Sequence, residues 1–129
     1  MLDALDLLTT RDKEQFVIAP QSLYEMYVVC TRPAAQNGLG YSPAQGHLEI
    51  TQTRALFQLL PETSDVYLTW ETLVAKYGVT GKPAHDARLA ALMVVSGVKQ
   101  ILTFNDADLK RYTEVQTLNP FDVLGLARV

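Results

Sequence analysis

The chain has 129 residues, 48% of them apolar, one cysteine and a formal net charge of −3. That length and apolar share describe one domain with a real core, the small net charge excludes a basic field that gathers nucleic acid non-specifically, and a single cysteine excludes an internal disulfide. No apolar run approaches the ~20 residues that span a bilayer, and no basic-then-apolar leader opens the chain, so a cytoplasmic protein without membrane contact is expected.

Met1 to Glu14 carries Leu2, Leu5 and Leu8 at three-residue spacing before a charged run, which predicts the last turns of a helix. "FVIAP" predicts a short strand closed by Pro20, feeding directly into a helix over "QSLYEMYVVCTR". "PAAQNGLGYS" reads as a loop. Ser42, Pro43 and Gln45 then form a helix start of the capping-box type, with Leu48, Ala55, Leu56 and Leu59 on one face and Pro61 at the end. "DVYLTWETLVAKYG" predicts a brief extended piece and a helix that stops at Gly78. His85 to Ser96 is apolar nearly all round and predicts a buried helix ended by Gly97. "VKQILTF" is a strand, "NDADLKRY" a loop and short helix, and "VQTL" a last strand. Alternating strands and helices give an α/β layer fold with a mostly parallel sheet.

Carboxylates mark the chemistry. Glu25 is the one charge inside an apolar helix just after a strand, Asp86 lies in the first turn of the buried helix, and Asp106 and Asp108 follow "ILTF". Each placement leads to the carboxyl edge of the sheet, where ligands bind in open α/β folds. Taken singly, each acid has a structural explanation: Asp86 complements a helix dipole, Asp106 and Asp108 cap a short helix, and Glu25 pairs with Arg54 or Arg88. Their convergence is what points to function, because clustered carboxylates repel unless a cation holds them. Oxygen-only ligands suit Mg²⁺ or Mn²⁺, able to polarise a phosphoryl oxygen and activate water.

Other chemistries fit less well. "GLGYSP" has no third glycine and follows no strand, and no Walker-type run occurs. His47 and His85 have no ligand spacing with Cys30; His47 reads as a surface residue, and His85 as a helix-start residue or a contact to substrate phosphate. Ser22, Ser42 and Ser96 lack a nucleophile-elbow setting. Trp70, the tyrosines and the methionines fit core or rim positions better than a stacking platform for bases.

The stretches "VIAPQSLYEMYVVCTRP", "NGLGYSPAQ", "GKPAHDARLAALM" and "ILTFNDADLKRY", in that order, give a chain that resembles the PIN-domain family, most closely the VapC-type toxins of bacterial toxin–antitoxin pairs. The resemblance implies a three-layer α/β/α sandwich over residues 1–129, a carboxylate cluster binding Mg²⁺ or Mn²⁺, hydrolysis of RNA phosphodiesters and an antitoxin-like protein partner. Carried over by position, Glu25 matches the family's acid on the second helix and Asp86 the acid of the "HDA" motif. Asn105 aligns with the fourth acidic position, with Asp106 or Asp108 supplying charge from the next turn, and Thr103 matches a nearby small hydroxyl residue. The implied catalytic set is Glu25, Asp86 and Asp106; the implied metal ligands are Glu25, Asp86, Asn105, Asp106 and Asp108.

One departure stands out. The family's opening strand, hydrophobic–Asp–x–Asn–x–Leu, has no counterpart, and Asp3 and Asp6 of "MLDALDLL" lie in a helix-like pattern. The reading is an N-terminally shortened PIN domain, from a reading frame that starts upstream or as a natural remnant. Its bare central position is expected to close by direct pairing of "FVIA" with "ILTF" or by pairing with a second copy, a homodimer. A metal-dependent ribonuclease is the expected function; the alternative is a non-catalytic remnant that binds an antitoxin-like partner or itself.

Overall fold

In the computed structural model, which describes residues 7–9, 16–103, 106–119 and 122, the first element is a correction to the sequence reading. Leu7–Thr9 is a strand, β1, where leucine spacing predicts helix. It is followed by β2 (Phe16–Ile18), β3 (Gln58–Leu59), β4 (Gln100–Leu102) and β5 (Gln116–Leu118), arranged in the order β3-β2-β1-β4-β5. β1 runs antiparallel to both neighbours, with Leu7 opposite Ile18 on one side and opposite Leu102 on the other. β3 is parallel to β2, and β5 to β4. Four of the five strands therefore point one way, and the reversed one sits at the centre.

The expected bare position is thus filled from within the chain. Neither direct closure of β2 on β4 nor a second copy supplies the pairing; β1 does. The physical reason is that a gap there leaves two rows of backbone N–H and C=O groups without partners, and one inserted segment satisfies both. Leucines spaced by three over so short a window do not distinguish helix from strand, and pairing on two sides overrides local preference. Asp3 and Asp6 lie outside the described residues.

Helices cover both faces. α1 (Pro20–Thr31) follows β2 with Pro20 at its start, and α2 (Pro43–Leu56) opens on the expected capping box, in which the Gln45 N–H donates to Ser42 Oγ and the Ser42 N–H to Gln45 Oε1. α3 (Ser64–Tyr77) is helical throughout, without the extended lead-in, and α4 (Pro83–Ser96) is the buried helix. Gly78 and Gly97 end them with φ of 60° and 72°, left-handed conformations that glycine adopts at low cost. α5 (Asp106–Leu109) is a single turn between β4 and β5.

Val17 and Ile18 alternate across β2 and are both buried, so the sheet is covered on each face as a three-layer α/β/α fold requires. Val17 joins the main core with Leu89, Leu92, Met93 and Ile101, and burial of each large side chain there contributes ~1.5–3 kcal/mol. A smaller cluster, Met26 and Cys30 with Ile50 against them, joins α1 to α2. There the helices approach closely: a Cβ on Gly46 would lie 2.8 Å from Thr31 Cγ2. The apolar face expected on α2 is not what packs. Leu48 and Leu56 are exposed, and Gly46 is the buried residue of that helix.

Candidate active site at the carboxyl edge of the sheet

β2 and β4 run the same way, so the segments that leave them, α1 and α5, start at one edge of the sheet. α4 packs against α5, with Asp86 in its first turn and Asp108 on α5, and the Asp108 charge reaches Asp86. The Asp86 carboxyl is pushed above the ordinary aspartate range, first by burial and then by the Asp108 charge, with His85 and Lys82 pulling in the opposite direction. Tyr112, fully buried in the core, has its hydroxyl pushed up by burial, with Asp86 adding to the effect. Asp86 is therefore a half-buried acid with apolar packing beneath it and a like charge beside it.

The other acids differ in their surroundings. Asp106 is buried at 5% exposure; Asn119 Nδ2 donates to its Oδ1 at 3.4 Å, and Lys110 Nζ lies 3.7 Å from its Oδ2. It ties α5 to the end of β5. Glu25 is exposed on α1, and among the described residues it pairs with neither Arg54 nor Arg88. It is also not among the charges that shift Asp86. Thr103 is buried, its N–H donating to the Leu118 carbonyl at 2.8 Å, which seats the chain at the end of β4. Asn105 lies outside the described residues.

Among the described residues, no three His, Cys, Asp or Glu side chains group closely enough to hold a metal ion. Asp108 is the acid whose charge raises Asp86. That donor set still fits a hard divalent cation, since Mg²⁺ is commonly held by one or two carboxylates and keeps waters and substrate phosphate as its other ligands. A cation at the pair would also remove the repulsion that raises Asp86.

A cavity of about 590 Å³ opens beside this edge, between the start of α3 and the start of α4. Thr63, Ser64, Tyr67 and Trp70 line it from one side, His85 and Arg88 from the other. Trp70 Nε1 donates to the Ala84 carbonyl at 2.7 Å, fixing the indole to the first turn of α4. Tyr67 stacks on it at a tilt, ring centroids 5.8 Å apart, and the Glu71 carboxylate pushes its hydroxyl above the ordinary tyrosine range. Trp70 lies at the cavity rim, within the core-or-rim placement that the sequence predicts, but the cavity itself is not legible in the sequence. The one available signal was the three-residue spacing of Tyr67 and Trp70, which reads equally well as a core stripe.

A family model for the PIN domain matches residues 2–115. Comparison with curated proteins gives no significant match. The chain belongs to the PIN-domain family, whose members are generally nucleases and typically use divalent metals. Among the described residues, no helix is long and apolar enough to cross a membrane.

Proposed function

From this family membership we propose that the chain is an Mg²⁺- or Mn²⁺-dependent endoribonuclease of the VapC toxin type, hydrolysing RNA phosphodiester bonds at the Asp86–Asp108 edge. The observation that carries the proposal is Asp86 itself, a carboxylate kept at a cost in free energy, desolvated and facing Asp108, at the edge where an α/β fold binds its ligands. Asp86 and Asp108 would hold the ion, which would supply neutralisation of the charge that develops on the phosphoryl group. Glu25, exposed in the middle of α1, is placed in the site by family resemblance alone, as the acid that would accept the proton of the attacking water. Asp106 acts through its bonds to Asn119 and Lys110, which fix α5 and thereby deliver Asp108.

The toxin assignment carries a partner with it, an antitoxin-like protein. Tyr24 and Val28, one turn apart on α1 and 61% and 53% exposed, support a face for such a partner. The test is cleavage of labelled single-stranded RNA with Mg²⁺ or Mn²⁺ and with chelator. Wild type should cut only with metal, and Asp86→Asn and Asp108→Asn should lose that activity. Metal-dependent cutting by Asp86→Asn at the wild-type rate would remove the site from this edge.

A further inference from the structure

The α3–α4 cavity borders the proposed site yet has no part in the chemistry assigned to it so far. Its aromatic wall is anchored before any ligand arrives: Trp70 by its bond to Ala84, with Tyr67, 59% exposed, packed on the indole. Facing that wall are two exposed side chains able to carry positive charge, His85 and Arg88, which bracket Asp86 on the first turns of α4. Among the described residues Arg88 forms no ion pair. Thr63 makes no capping bond to α3, so its hydroxyl is not committed to the helix start. Glu62 is the one acid in the lining and lies on the α3 side, away from α4 in sequence.

We infer that this cavity is a nucleotide subsite for single-stranded RNA, in which a base packs on Tyr67 and Trp70 and an adjoining phosphate meets Arg88 and His85, setting the neighbouring phosphodiester at Asp86. The assignment rests on the nuclease reading and gives it a substrate-positioning element. Aromatic rings accept any base by its face, and guanidinium pairs with phosphate through paired N–H donors. An apolar protein segment would use the rings but not the cations. The cavity, at about 590 Å³, falls within the ~300–1,000 Å³ of small-ligand sites. With no basic field over the molecule, RNA contact must be local, and in this cavity aromatic and cationic groups line one space.

Trp70 is the only tryptophan of the chain, so its fluorescence reports on this wall directly. The full-length protein, kept in chelator to stop cleavage, is titrated with a short single-stranded RNA of mixed sequence. Saturable quenching is expected, weakened about tenfold in Tyr67→Ala and in Arg88→Gln and retained in Tyr67→Phe, as stacking rather than the hydroxyl predicts. Asp86→Asn should bind at least as tightly as wild type while failing to cut, which separates this subsite from the nuclease reading. Quenching without any metal-dependent cleavage leaves the subsite standing and ends the nuclease proposal. Cleavage with no response from Trp70, or quenching equal in wild type, Tyr67→Ala and Arg88→Gln, overturns the subsite. A dimer in light scattering that Tyr67→Ala dissociates, with no quenching by RNA, assigns the cavity to a second copy instead.

Discussion

Two carboxylates of this chain, Glu114 and Asp86, face opposite electrostatic fates. Glu114 sits where α3 meets the approach to β5: Lys76 Nζ is 2.7 Å from its Oε2, and the Tyr77 hydroxyl donates to its Oε1 at 2.6 Å. The Lys76 bond first, and the Tyr77 bond second, hold its carboxyl below the ordinary glutamate range. Among the described residues Asp86 has no such partners; burial and Asp108 hold its carboxyl above the ordinary range. Glu114 is exposed and Asp86 half-buried, so burial weighs first on Asp86 and only third on Glu114, and the two shifts have opposite signs. A carboxylate supplied with donors serves the fold, whereas one kept at a free-energy cost has its compensation elsewhere, in a cation or a substrate.

The largest test of this contrast is activity. Asp86→Asn should lower metal-dependent RNA cleavage by on the order of 100-fold or more, while Glu114→Gln should leave it within about twofold under the same principle. Equal losses in the two variants would erase the distinction. Next in size is the thermal response to metal. Mn²⁺ at a hundred times its dissociation constant stabilises a folded state that alone binds it by ~2.7 kcal/mol, a rise of several degrees in Tm. Wild type and Glu114→Gln should show that rise, and Asp86→Asn should lose most of it.

Smaller effects follow from the pKa shifts. Glu114 contributes stability above the ordinary glutamate pKa, and that contribution is lost as pH falls through its lowered value. Because the pair with Lys76 is largely open to solvent, Glu114→Gln should cost no more than about 1 kcal/mol at neutral pH, and thermal melts should show the difference from wild type vanishing in acid. Asp86 works in reverse. Its folded-state pKa is raised, so its cost is absent while the acid is protonated and grows as pH rises from the ordinary aspartate value through the raised one. Metal-free Asp86→Asn should therefore melt slightly higher than wild type at pH 7 and level with it in acid. A lower melting temperature at pH 7 would mean that Asp86 is a structural acid after all.

Where the sequence was legible, the signal was local. Ser42 and Gln45, Gly78, Gly97 and the apolar run of α4 each mark an element by chemistry within one or two turns. β1 was not legible, because strand pairing joins Leu7 to Ile18 and Leu102 and leaves no trace in the spacing of leucines. The exposed Leu48 and Leu56 misled for a related reason: an apolar stripe states that a face is apolar, not that this chain covers it. At the site, Asp86 and Asp108 were both named from sequence, but that they act on each other depends on how α5 folds back onto α4. Tyr67 and Trp70 became a cavity wall only once α3 lay against α4.

The reversed central strand also orders events in time. β1 and β2 are adjacent in sequence and can pair as soon as both have left the ribosome, but the other edge of β1 waits for residues 100–102. At ordinary translation rates that interval is roughly 5 to 20 seconds. For that period the nascent chain carries an open strand edge, the kind of surface on which misassembly between chains begins. β1, made before β2, β3, β4 and β5, is among the last of them to be fully enclosed.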